Sequence, residues 1–211
     1  MAFYYPLALT SILGLGVYPI VTFFMGHSRM ALESLAVLPV VNALVFVFRS
    51  LGLSFQEVGV ALLGEKKEGY KPLRKFAGVL GFCVTAALAV IAFTPLSSIW
   101  FRGISGLSAE LCSIAVTPTR IMTIMPGLIV LLSFQRAFLV NSMNTKPINM
   151  ATMIEVAGIV TFLIITVFIV GMIGALAAAI SLLLGRLFAN AYLFVPYWRE
   201  LNKLNKAGAA L

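Results

Sequence analysis

The chain of 211 residues is 61% hydrophobic and only 10% charged, with a net charge of +8 and a mean hydropathy of +1.05. Such a chain leaves no room for a soluble domain and reads as an all-α polytopic membrane protein. It contains one histidine and no aspartate, which excludes an HExxH zinc site, an aspartyl dyad and a DxxD-type metal site. No GxGxxG or P-loop lysine motif is present either, so neither an enzyme nor a cofactor is expected.

A spanning helix needs about 20 mostly apolar residues to cross about 30 Å of hydrocarbon. Six segments satisfy this, at residues 2–26, 32–63, 76–96, 110–139, 148–170 and 172–197. The first lacks a basic leading region, so it is expected to remain as a span rather than be cleaved. Pro6 stands near its start, Pro19 is placed to kink it, and Gly14 and Gly16 permit close helix approach. His27 follows in a short outer loop.

The second segment would extend about 48 Å as a helix, beyond the hydrocarbon thickness. It must tilt, bend at Pro39 or protrude. Asn42, Arg49 and Gln56 recur every seven residues and so share one helical face, widened by Ser50, Ser54 and Glu57. Arg49 lies some 21 Å from the segment's far end, deep in the membrane. The third segment is uncharged and rich in small residues, a packing helix. The connection SSIWFRGISGLSA then reads as an outer loop with Trp100 and Phe101 as interfacial anchors. In the fourth, Pro118 and Pro126 bracket Arg120 and predict a kinked or locally opened helix. The fifth carries a single acid, Glu155. The sixth holds Arg186 and Asn190 on one face and closes with Tyr197 and Trp198 as anchors. Cys83 and Cys112 have no metal spacing and read as packing residues.

The cations outside the spans are unevenly placed. Lys66, Lys67, Lys71, Arg74, Lys75, Arg136, Lys146, Arg199, Lys203 and Lys206 fall on one side, against Arg29 and Arg102 on the other. This bias predicts cytoplasmic termini in a plasma or inner membrane, and it accounts for the net charge without invoking nucleic acid. The run from Lys66 to Lys75 could also touch anionic lipid heads, although topology already explains it.

Arg49, Arg120 and Arg186 are different, because each sits inside an apolar run. An arginine at a helix centre costs roughly 2.5–3.5 kcal/mol on insertion scales. One reading is a polybasic cavity for a phosphate, carboxylate or lipid head group, since the guanidinium fork matches such oxygens. The other is internal pairing, with Glu57 and Glu155 neutralising two of the three. The same two acids are the candidates for ion coupling in a cation-driven exporter. A membrane scaffold without transport activity is the remaining class.

The opening FYYPLALTS, the long second segment and the stretch FTPLSSIWFRGISGLSAELCSIAVTPTRIMTIMP resemble the C-terminal six-helix half of the MATE-like flippase superfamily. Within it, the progressive ankylosis family is the most similar, chiefly through Ala109 to Pro126 with Pro118 and Arg120. The resemblance implies one lobe of a twelve-helix alternating-access transporter, with anions such as pyrophosphate, citrate or nucleotides as substrates. The partner lobe would be a second copy of this chain or a missing N-terminal half, with membrane lipid around both. Arg120 is the position carried over from the resemblance. Arg49, Arg186, Asn42 and Gln56 come from their burial and spacing as substrate contacts, and Pro39, Pro118 and Pro126 as hinges.

Overall fold

Long apolar runs interrupted by few helix breakers dictate helices, and helices account for nearly all of the architecture. The computed structural model describes residues 4–64 and 68–208, with side chains for residues 14–64 and 68–204. Lys66 and Lys67 lie outside the described residues, and the side chains of Pro6 and Lys206 outside the described side chains. The elements run α1 (Tyr4–Gly26), α2 (Ala31–Leu63), α3 (Tyr70–Phe93), α4 (Leu96–Ser98), α5 (Ala109–Ile121), α6 (Met125–Asn141), α7 (Lys146–Ile164) and α8 (Gly174–Gly208). A 3₁₀ turn, Met122–Ile124, joins α5 to α6, while π-helical turns, Ile99–Ile104 and Ile165–Ile169, extend α4 and α7. Among the described residues, five helical segments, with α5 and α6 counted as one, are long and apolar enough to span a membrane. The part of α1 whose side chains are described, Gly14–Gly26, is a shorter apolar helix. The chain is an all-α membrane protein.

The span through α5 and α6 is the most enclosed of these, and α2, α3 and α8 all pack on α6. Its break has a local cause. Pro126 has no N–H to give to the carbonyl of Met122, which instead accepts from the N–H of Met125 and tightens the turn to 3₁₀. α2, by contrast, runs unbroken through Pro39 for 33 residues.

Two glycines let α2 approach α6 closely. A Cβ on Gly52 would meet Val130 Cγ2 at 3.0 Å, and one on Gly59 would meet Ala137 Cβ at 2.9 Å. Gly185 does the same for α8 against α7, where its Cβ would stand 2.9 Å from the backbone oxygen of Glu155. Filling such a seam forces backbone shifts. Gly59→Leu is expected to destabilise the fold by about 1–3 kcal/mol, read as earlier unfolding in a detergent titration.

Several local expectations need correction. Gly14 and Gly16 make no close approach, since a Cβ on either would meet nothing within 4 Å. The connection after α3 is helical rather than an open loop, and it tucks Phe101 fully inside the core with Leu44, Leu88 and Met122. Phe101 is therefore a core residue and not an interfacial anchor. Tyr197 is likewise buried, its hydroxyl 2.7 Å from that of Tyr70, while Trp198 stays half exposed. α3 begins at Tyr70 because Leu73 and Ala77 continue its buried stripe, so Lys71, Arg74 and Lys75 ride on the helix. α8 runs on past Trp198 for the same reason, with Leu201 buried and Lys203 paired to Glu200 at 2.9 Å.

Candidate functional site

A cavity of about 620 Å³ lies among α1, α2, α6, α7 and α8. Each helix contributes through its own periodicity. α2 supplies Arg49 and Gln56, one heptad apart, and α6 supplies Ile129 and Arg136 at the same spacing. α7 supplies Thr152, Glu155, Val156 and Ile159, spaced i, i+3, i+4 and i+7, and α8 supplies Leu182 and Arg186 at i, i+4. Methionines Met122 and Met125 complete an apolar part of the wall.

The charges on this wall are unequal. Arg186 Nη2 lies 2.9 Å from Glu155 Oε1, both side chains largely buried, so this pair neutralises itself. Gly185, next to Arg186, sets the close α7–α8 approach at this point. Arg49 and Arg136 have no acid partner among the described residues. Arg49 donates to the Tyr18 hydroxyl at 3.0 Å and stands over the Phe46 ring, 5.1 Å from its centroid. Arg136 donates to Thr152 Oγ1 at 3.2 Å. The buried Nε atoms of Arg49, Arg136 and Arg186 all lack a hydrogen-bond partner among the described residues. Three guanidiniums face one carboxylate, an excess of two positive charges in a setting where screening is weak.

The charge bias places Arg136 among the flanking cations, and the structure adds that it faces the cavity. It sits within α6, five residues before the helix ends at Asn141, and turns toward α7 rather than the loop. The heptad from Ile129 is the sequence signal that places it on the cavity face.

The structure separates other candidates. Arg120 does not line this cavity. It is exposed, its Nε donates to the carbonyl oxygen of Ala92 at 3.3 Å, and it stands 5.5 Å from the Phe93 ring centroid. That carbonyl belongs to the last turn of α3, where a cation complements the helix dipole. Glu57 is exposed and turned away from the cavity, so it neutralises none of the three arginines. Asn42 lines a second cavity of about 420 Å³ between α1 and α2, together with Pro39 and Thr22. Tyr18 and Arg49 border both cavities, so the Asn42–Arg49–Gln56 stripe runs from one into the other. Pro118 and Pro126 are buried at the α5–α6 break. His27 is occupied locally, its Nδ1 2.9 Å from the Phe23 carbonyl oxygen. Among the described residues no group of three His, Cys, Asp or Glu could hold a metal.

No protein-family model matches this sequence, and no curated protein does. The fold is similar to a structure solved as the inward-facing conformation of a multidrug resistance MATE family transporter of the MOP superfamily. The TM-score is 0.66 at 17% identity, over 87% of this chain and 41% of the other. The chain thus spans about two-fifths of that transporter's length. The described helices share the fold of the corresponding part of that MATE family transporter.

Proposed function

We propose that the chain is one lobe of an alternating-access transporter or flippase that moves an anionic small molecule or a lipid-linked anion. The observation that carries this reading is the cavity with Arg49, Arg136 and Arg186 around the single carboxylate of Glu155. Arginine stays charged and presents a planar fork suited to phosphate and carboxylate oxygens. Arg49 and Arg136 make the first charge contacts in this reading. Gln56 assists from the same face, and Asn42 from the adjoining cavity. Arg120 holds the end of α3. The break between Pro118 and Pro126, and Pro39 in α2, serve as hinges. A cation-coupled exporter would need a free acid facing its substrate. Glu155 is already engaged by Arg186, which disfavours that alternative.

The whole of residues 1–211 forms a single lobe in this proposal. A second six-helix lobe closes the cavity, either a second copy related by a two-fold axis or the N-terminal half of a longer protein. Both termini face the cytoplasm, following the cation bias. The likeness to the progressive ankylosis family supplies the candidate substrates.

The test is uptake of labelled pyrophosphate, citrate and ATP into proteoliposomes, with native mass spectrometry counting the lobes per assembly. Saturable uptake of at least one anion, lost in an Arg49→Ala, Arg136→Gln double variant that keeps the Arg186–Glu155 pair, is the expected result. Unchanged uptake in that variant, or ethidium transport with no anion transport, overturns the proposal.

A further inference from the structure

Away from the arginine cavity, a second feature combines apolar surface with unpartnered charge. A crevice of about 400 Å³ runs between α3, α6 and α8, floored by Gly78 and Gly81 and walled by Phe134 and Trp198. It adjoins a shallower basin of about 650 Å³ at the N-terminal end of α3, and the two share Tyr70, Arg74, Gly78 and Leu201. Lys71, Arg74 and Lys75 rim this basin, all exposed and none in an ion pair among the described residues. The nearby Glu200 is paired with Lys203.

Three cations in the first turns of a helix are unfavourable for that helix, because its N-terminus already carries partial positive charge and favours anions. The first turn of α3 itself holds no acidic residue, and Glu68, which precedes the N-cap Gly69, is exposed and is one acid against three cations. Topology accounts for basic residues on this side of the membrane, but it requires no apolar crevice opening beneath them. Trp198, half exposed and stacked on Phe194 at 5.8 Å between centroids, is the kind of side chain that sits at head-group depth. Gly78 keeps the passage open, since a Cβ there would meet nothing within 4 Å.

We infer that this crevice is a binding site for one anionic phospholipid, its phosphate held by Lys71, Arg74 and Lys75 and one acyl chain lying between α3, α6 and α8. The lipid supplies negative charge to a first turn of α3 that has no acid of its own, and covers apolar surface that a zwitterionic head group would not draw to this end. A free phosphate would satisfy the basin but leave the crevice unfilled.

Native mass spectrometry of the full chain, released from nanodiscs of equal phosphatidylglycerol and phosphatidylcholine, tests the site. The wild type is expected to retain one phosphatidylglycerol in preference to phosphatidylcholine. Each Lys or Arg near a membrane surface adds attraction equivalent to roughly fivefold in affinity, so Lys71→Gln, Arg74→Gln and Lys75→Gln together should reduce retention on the order of 100-fold. Gly78→Leu, with all three charges kept, should reduce it as well by blocking the chain's path. A folding readout by circular dichroism accompanies both variants, which alter exposed or open positions only. Equal retention of the two lipids by the wild type overturns the proposal. So does full retention by Gly78→Leu, which would mean head-group contact alone, or displacement of the lipid by inorganic phosphate.

Discussion

Arg186→Leu is expected to destabilise the folded lobe by about 3–5 kcal/mol, because it strands the Glu155 carboxylate without its partner. The converse change, Glu155→Leu, leaves Arg186 beside Arg49 and Arg136 on the same wall and adds a third uncompensated charge. The double replacement behaves differently. Two leucines of similar reach remove both desolvation costs together, so the double variant should recover most of the stability, and a buried pair exchanged for apolar residues is often neutral. The cycle is measured as detergent- or heat-induced unfolding of the four proteins. A stability deficit in the double variant equal to the sum of the single changes would show that the two side chains are not coupled. Anion transport should follow another pattern, remaining low in Arg186→Leu and in the double variant, because the guanidinium is absent from both.

The second large effect concerns Arg136. If a transported anion accepts from its guanidinium, Arg136→Gln removes a charged hydrogen bond worth about 1.5–3 kcal/mol. That corresponds to a rise in the apparent KM for uptake of roughly 10- to 150-fold. The folded state should change far less. The hydrogen bond lost, to Thr152 Oγ1 at 3.2 Å, is a single polar contact in a membrane setting, where such contacts average about 0.6 kcal/mol. Arg136→Lys keeps the charge but loses the fork, and should fall between the two. A KM for Arg136→Gln within twofold of the wild type would confine the residue to anchoring α6 against α7.

The helices and the all-α membrane fold were legible in the sequence because hydrocarbon imposes one strong rule, length of apolar run, on every span. The candidate site was legible only in part. Arg49, Gln56, Glu155 and Arg186 could be read from charge in apolar context, and they do meet in one cavity. Arg136 was missed because its position near a helix end made the topological explanation sufficient. Only its rotation about α6, shared with Ile129, assigns it inward. Arg120 was drawn into the set by the same reasoning that found Arg49, yet it serves the end of α3. Depth along a helix can be counted from sequence, whereas the neighbour a side chain faces depends on packing between spans. Phe101 and Tyr197 show the same limit, with aromatic residues at an expected interface turning inward to fill the core.

The glycine seams also determine which charges travel together. Gly52 and Gly59 bind α2 to α6, and Gly185 binds α8 to α7. The first couple carries Arg49 and Arg136, while the second carries Glu155 and Arg186, whose charges cancel. Between α6 and α8 the polar contacts are longer, 3.4 Å from Gln135 Nε2 to the Asn190 carbonyl oxygen and 3.2 Å from Asn190 Nδ2 to that of Leu128. The surplus charge of the cavity therefore resides wholly on one couple, and the other forms an electrically neutral wall. Sliding one against the other along the α6–α8 boundary would change the field across the cavity without parting an ion pair.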